Sequence, residues 1–174
     1  EEHNFIVERE FLGLKTAFRA VYDSNKPGLT VGYLCEYDAL PEIGHGCGHN
    51  MIGTMSAGAG VILSKILDQV GGRVIVYGTP AEETDGAKVI FVEQGVFEEL
   101  DAAMMLHPSD KTCASGTSTA IYPLQFRYKG KNAHAASCPQ DGINALNSVI
   151  QLFNGIDALR QHVTPDVRMH GIIT

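Results

Sequence analysis

In the string HGCGHN at 45–50, His45, Cys47 and His49 alternate with glycines. Glycine lets a backbone fold tightly around a small object, and imidazole and thiolate are ligands that suit zinc or a manganese-like ion. A Gly-rich loop with incidental histidines is the plainer alternative, and three ligand-type side chains so close together tell against it. A second candidate is AEET at 81–84, where Glu82 and Glu83 follow an apolar run that has no charge after Arg73. Adjacent side chains in a non-helical segment point apart, so one carboxylate can bind a metal while its neighbour faces a water as general base. Taken alone, the pair also reads as the acidic start of a helix, where carboxylates complement the macrodipole. His107 in MMLHP is the first polar residue after an apolar stretch. Asp38 in EYDALP is a strand-end aspartate or helix cap by itself; beside ligating histidines it is an acceptor that orients one of them.

These residues need elements to bring them together. TAFRAVY at 16–22 and LTVGYLC at 29–35 alternate β-branched and aromatic residues around the turn SNKPG, which predicts a hairpin. MIGTMSAGAGVILSKILDQ at 51–69 carries small and apolar residues at helical spacing and stops at Gly71 and Gly72, a helix with one close-packed face. RVIVYGTP at 73–80 reads as a fully buried strand, AKVIFVEQGVFEEL at 87–100 as helical and AAMMLHP at 102–108 as a further strand. The alternation predicts an α/β layer with a mainly parallel sheet and helices on both faces. Asp38, Cys47, His49, Glu82, Glu83 and His107 then follow strand ends and converge on one rim. After about Ser115 the rhythm changes. AIYPLQFRYKG at 120–130 and VRMHGIIT at 167–174 read as strands flanking the amphipathic helix of 144–163, an α+β unit beginning after a boundary at GTST, 116–119.

The whole chain has 174 residues, 13 Lys plus Arg against 20 Asp plus Glu, a net charge of -7 and 44% hydrophobic residues. That fits one ordinary domain or two small ones. The acidic balance offers nucleic-acid phosphates no footing, and no uninterrupted apolar run reaches the roughly 18 to 20 residues of a membrane span. Cys35, Cys47, Cys113 and Cys138 sit in unlike contexts without a signal-peptide pattern, so reduced thiols and a cytoplasmic location are expected, with Cys35 a buried small hydrophobe. The opening EEHNF and the closing HGIIT read as the edges of a fragment.

The motifs EYDALP, GHGCGHN, TPAEE, LHP and GKNAHAA occur in an order and at spacings that resemble the dinuclear metal-dependent aminoacylase and carboxypeptidase family. The likeness is to its amidohydrolase branch of hippurate, aminobenzoyl-glutamate and auxin-conjugate hydrolases, and within it most to the dipeptidase-like members. The resemblance runs from about Phe18 to the end of the chain. It implies a zinc-peptidase-like catalytic sheet over residues 1–116, present in part. It also implies part of an α+β ferredoxin-like lid over 117–174, through which many members form homodimers. It implies two divalent metal ions, zinc or manganese, with ligands at Cys47, His49, Glu83 and His107. Glu82 becomes the general base, Asp38 the residue behind a ligand, and His134 in GKNAHAA the lid histidine that stabilises the tetrahedral intermediate. Asn50 stands where many relatives carry aspartate, and a further metal-binding histidine of the family has no counterpart in this stretch.

The expected reaction is hydrolysis of the amide bond of N-acyl amino acids or dipeptides. A water held between two ions is deprotonated by Glu82, which then protonates the leaving amine, while His134 donates to the oxyanion. A metal- or peptide-binding module without catalysis is the alternative. A cysteine hydrolase built on Cys47 with His49 or His45 as base is a weaker third reading, because it leaves both glutamates idle.

Overall fold

A strand that is apolar on both sides must lie inside a sheet covered on both faces, and RVIVYG does so as β4 (Arg73–Gly78). Its side chains alternate between two cores. Val74 and Val76 join Phe5, Ala20, Cys35 and Leu67 on one side, and Ile75 and Tyr77 join Phe11, Ala17, Ala87 and Phe91 on the other. The structure is a computed structural model that describes residues 1–174 except Asp85 and Ser115. The expected change of rhythm at Ser115 and the Asp85 position of the AEETDGA segment therefore lie outside the described residues. The chain divides into two units, Glu1–Thr112 and Cys113–Thr174.

In the first unit β4 is flanked by β2 (Phe18–Asp23) and β3 (Thr30–Cys35), with β1 (Ile6–Arg9) beyond β2 and β5 (Ala102–Met104) beyond β3, in the order β1-β2-β4-β3-β5. β3 runs parallel to β4 and β5, while β2 is antiparallel to β1 and β4. Two expectations change here. The sheet is mixed rather than mainly parallel, and β2 and β3 do not form a hairpin because β4 is inserted between them. The SNKPG turn still reverses the chain, but a strand with two apolar faces gains more from the central position than either half-exposed neighbour would.

The helix α1 (His49–Val70) buries the row Ile52, Ser56, Gly60, Ser64 and Leu67 against the sheet. A Cβ at Gly60 would lie 2.5 Å from Val76 Cγ2, so the small residues are what allow this close approach. By length and composition alone α1 is long and apolar enough to cross a membrane; in the structure it packs along β3 and β4. Covering the opposite face are α2 (Ala87–Glu93), with Ala87 and Phe91 buried, and the short 3-10 turn Val96–Glu99. That turn is clamped by Glu99, which accepts from Arg19 Nη2 at 2.7 Å, Arg73 Nη2 at 3.2 Å and the Tyr77 hydroxyl at 3.1 Å. Burial by itself pushes the Glu99 carboxyl up, yet its hydrogen bond and charge pairing with Arg19, aided by Tyr77 and Arg73, hold it below the ordinary glutamate value.

The second unit contains α3 (Ala145–Leu159), capped by Asn144, whose side-chain oxygen accepts from the Leu146 N–H at 3.1 Å. The strands expected at 120–130 and 167–174 do not form; the unit's one bridge among the described residues joins Lys131 to Ile143. Ile121, Tyr122, Leu124 and Phe126 are all exposed. Without a buried face nothing fixes a strand register there, and the sheet an α+β lid requires is absent among the described residues.

Candidate metal centre

The parallel strands β3, β4 and β5 end side by side, and each carries chemistry just past its end. Cys35 pairs with Gly78 at the last step of the β3–β4 ladder. Thr79, fully buried, extends that ladder by donating both its N–H and its hydroxyl to the Cys35 carbonyl, at 2.8 and 3.1 Å. The segment after β3 is thereby seated beside the segment after β4. The Glu83 N–H donates to Asp38 Oδ2 at 3.0 Å, and the other Asp38 oxygen lies 3.1 Å from His49 Nδ1. A carboxylate can only accept, so Nδ1 carries a proton, and Nε2 is the ring atom that a neutral imidazole offers as a ligand. Burial pushes the Asp38 carboxyl up, but the backbone N–H groups of Glu83, Asp38 and Glu82, together with His49, outweigh it and hold the group below its usual value.

His49 occupies the first turn of α1, behind Gly48 at φ 75, and a Cβ at Gly48 would stand 2.6 Å from Pro108 Cγ. Only glycine combines that left-handed backbone with so close a neighbour, and the contact brings the Cys47–His49 loop against the segment that carries His107. Ser56 Oγ of α1 accepts from the Leu106 N–H at 3.4 Å, fastening the same segment to the helix. The rings of His49 and His107 stand edge to face, 6.1 Å between centroids. His107 Nδ1 lies 2.8 Å from the Pro108 carbonyl, an acceptor only, so Nδ1 carries a proton here too and Nε2 is the atom a neutral ring offers as a ligand.

Around His49 Nε2 stand carboxylate oxygens of Glu36 at 3.3 Å, Glu83 at 3.7 Å and Glu82 at 3.9 Å. Two groups offer donor atoms that all lie within 4.8 Å of one another: Cys47 with His49 and Glu83, and Glu36 with His49 and His107. Imidazole, thiol and carboxylate in one cluster form a donor set for a divalent cation. One buried atom strengthens that fit: Glu36 Oε2 is buried without a hydrogen-bond partner among the described residues. The Cys47 thiol is pushed up, first by its hydrogen bond to Glu83 and then by burial and the charges of Glu83, Glu82 and Asp38. That is the reverse of what a cysteine nucleophile needs, whereas a bound cation deprotonates a coordinating thiol.

Of the residues singled out in the sequence, Asp38, Cys47, His49, Glu82, Glu83 and His107 belong to this one rim. Glu82 and Glu83 are not the acidic first turn of a helix, since α2 begins at Ala87. His45 is exposed and joins neither donor group, and Asn50 is exposed as well. His134 lies in the second unit, where its Nδ1 accepts from the N–H groups of Ala136 and Ser137 at 3.2 Å each. Glu36 was not anticipated. Its signal was present in CEYDALP, where a charge directly follows an apolar strand and shares the alternation of Asp38.

The sequence profile of peptidase family M20/M25/M40 matches residues 32–169. The chain belongs to this family. It is 41% identical over 170 residues to the Xaa-Arg dipeptidase of Mus musculus, an alignment that covers 92% of this chain and 39% of that protein. It is 36% identical over 194 residues to one of the subunits of the p-aminobenzoyl-glutamate hydrolase of Escherichia coli, covering all of this chain and 40% of the relative. The chain thus spans about two fifths of the length of these M20 relatives. Among solved structures it resembles a putative aminohydrolase from methicillin-resistant Staphylococcus aureus, with a TM-score of 0.58 at 23% identity over 93% of this chain and 48% of the other. A dinuclear metal-binding M20 peptidase of Bacillus subtilis aligns with a TM-score of 0.50 at 24% identity, over 59% of this chain and 32% of that one. At these identities the structural likeness speaks for the fold, and it agrees with the mixed α/β layer described above.

Proposed function

We propose that the complete protein carrying this sequence is a metal-dependent amidohydrolase that cleaves dipeptides or N-acyl amino acids. The observation that carries the reading is the environment of His49. Its Nδ1–H is held by Asp38, and its Nε2 faces three carboxylates in a cluster that also contains Cys47 and His107. The M20 relatives, one acting on Xaa-Arg dipeptides and one on p-aminobenzoyl-glutamate by their names, point to the same substrate classes.

Cys47, His49, Glu83 and His107 would hold two divalent ions, zinc or manganese by the chemistry of the donors. When bound, such ions polarise a carbonyl and bring the pKa of water toward about 7. Glu82 is the carboxylate left over for proton transfer, and at 40% exposure it is open to substrate and solvent. Its oxygen takes a proton from the attacking water as the water oxygen bonds to the amide carbon, and returns it to the amine nitrogen as the C–N bond breaks. Asp38 holds the His49 ring and the Glu83 backbone in place, so that neither has to reorganise during the reaction. His134 of GKNAHAA would donate to the oxyanion from a ferredoxin-like lid that begins near residue 117, and that lid would also form the homodimer contact.

The test is turnover of a panel of dipeptides, including Xaa-Arg, and of acyl amino acids by the complete protein. Activity is expected to disappear on chelation and return with zinc or manganese. Glu82→Gln is expected to retain the metal by elemental analysis and lose at least about a hundredfold in kcat. Saturable substrate binding without product in the wild type would assign a binding module instead.

A further inference from the structure

Glu36 is the residue of this rim that neither the family resemblance nor the proposed reaction uses. It is 2% exposed. One of its oxygens is paired with Lys88 Nζ of α2. The other, Oε2, is buried without a hydrogen-bond partner among the described residues and lies 3.3 Å from His49 Nε2. Asp38 accepts from Nδ1, so Nε2 is the ring atom turned toward this oxygen. A ring nitrogen and a carboxylate oxygen at that distance need a proton or a metal cation between them, and a buried carboxylate oxygen left unpaired is costly. The spacing itself is informative. Two donors that each lie about 2.0 to 2.1 Å from a tetrahedral ion are roughly 3.3 to 3.4 Å apart. His107 completes the set, with a ring nitrogen in the same donor group and its Nδ1 proton committed to the Pro108 carbonyl.

We propose that Glu36 is itself a cation ligand, sharing one divalent ion with His49 and His107, and that Lys88 is the positioning residue that fixes which Glu36 oxygen faces the ion. The assignment rests on the metal reading above and adds a ligand to it. It also gives a purpose to an ion pair between α2 and the end of β3. Lys88 balances the first Glu36 oxygen and orients the second, as hydrogen-bonded partners behind metal ligands generally do.

The deciding experiment is a crystal structure of the complete wild-type protein loaded with zinc, the ion located by anomalous scattering. Glu36 Oε2 is expected within about 2.0 to 2.2 Å of an ion that His49 and His107 also bind. Ions present with Glu36 more than about 3 Å away would overturn the ligand assignment while leaving the metal reading intact. A protein that takes up no ion would overturn both. In solution, Co²⁺ titration of Glu36→Gln, with folding checked by circular dichroism, is expected to show affinity at one site reduced at least about tenfold. Its visible absorption bands are expected to shift as well. Lys88→Met should keep those bands and weaken binding by a smaller factor. Unchanged affinity and spectrum in a folded Glu36→Gln protein would also overturn the assignment.

Discussion

Asp38 does two jobs with one carboxylate, accepting from His49 Nδ1 through one oxygen and from the Glu83 N–H through the other. Both partners are donors, and only an ionised carboxylate presents acceptors to both sides. Asp38→Asn is nearly isosteric, yet its amide must turn an NH2 toward one of them and set donor against donor. The expected result is a zinc affinity lowered about 10- to 100-fold, with little change in urea stability measured in the presence of chelator. A variant that bound zinc as the wild type does would mean that Asp38 does not orient the ring. Cys35 is the contrasting case. Burial pushes its thiol up to about 12, and it is 1% exposed among the core residues against α1. It is therefore an inert small hydrophobe, while Cys47, twelve residues later, is exposed among carboxylates.

At the scale of elements, the site depends on how closely α1 lies on the strands that feed it. A Cβ at Gly53 would meet the Glu36 carbonyl oxygen at 2.9 Å, whereas one at Gly60, two turns further on, would meet the Val76 side chain at 2.5 Å. The first obstacle is backbone and belongs to the site segment; the second lies in the core. Gly53→Ala and Gly60→Ala should each cost about 1 to 3 kcal/mol through overpacking, offset in part by the better helix propensity of alanine. Only Gly53→Ala should also weaken zinc binding, because it lifts the start of α1 away from Glu36 and Asp38. Urea unfolding paired with zinc titration separates the two effects. The far end of the sheet is held by Glu99 with Arg19, Arg73 and Tyr77. Its folded-state value lies below the ordinary one, so this clamp adds stability above about pH 4.3 and loses it as pH falls through the depressed value. Glu99→Gln should cost about 1 to 2 kcal/mol at neutral pH and flatten that part of the acid limb in a pH series of urea midpoints.

Across the whole molecule, what could be read in advance was whatever local pattern determines. The spacing of small residues announced α1, the run RVIVYG, uncharged after Arg73, announced β4, and short loops after strands put Asp38, Glu82, Glu83 and His107 on one rim. What could not be read depends on partners distant in sequence. The β2–β3 hairpin was the local choice, and β4 displaced it because burial on two faces is a property of the assembled sheet. β1 is too short and too exposed to leave a pattern, and the run at 120–130 has alternation without a strand to pair with among the described residues. Nothing local marks the pairing of Glu36, whose partner Lys88 lies 52 positions further along the chain. One consequence belongs to the folded molecule alone. In a chain of net charge -7, the fold gathers Glu36, Asp38, Glu82 and Glu83 around one imidazole, a self-repelling arrangement that the unfolded chain escapes. A cation that binds only the assembled rim must therefore stabilise the fold, by about 2.7 kcal/mol at a free concentration roughly a hundredfold above its Kd. For a chain of this size that corresponds to a Tm rise of about 5 to 10 °C. Zinc or manganese should produce the rise and EDTA reverse it, while magnesium, which avoids thiolate and imidazole donors, should do little. A thermal melt insensitive to all three ions would show that the carboxylates are held together without a metal.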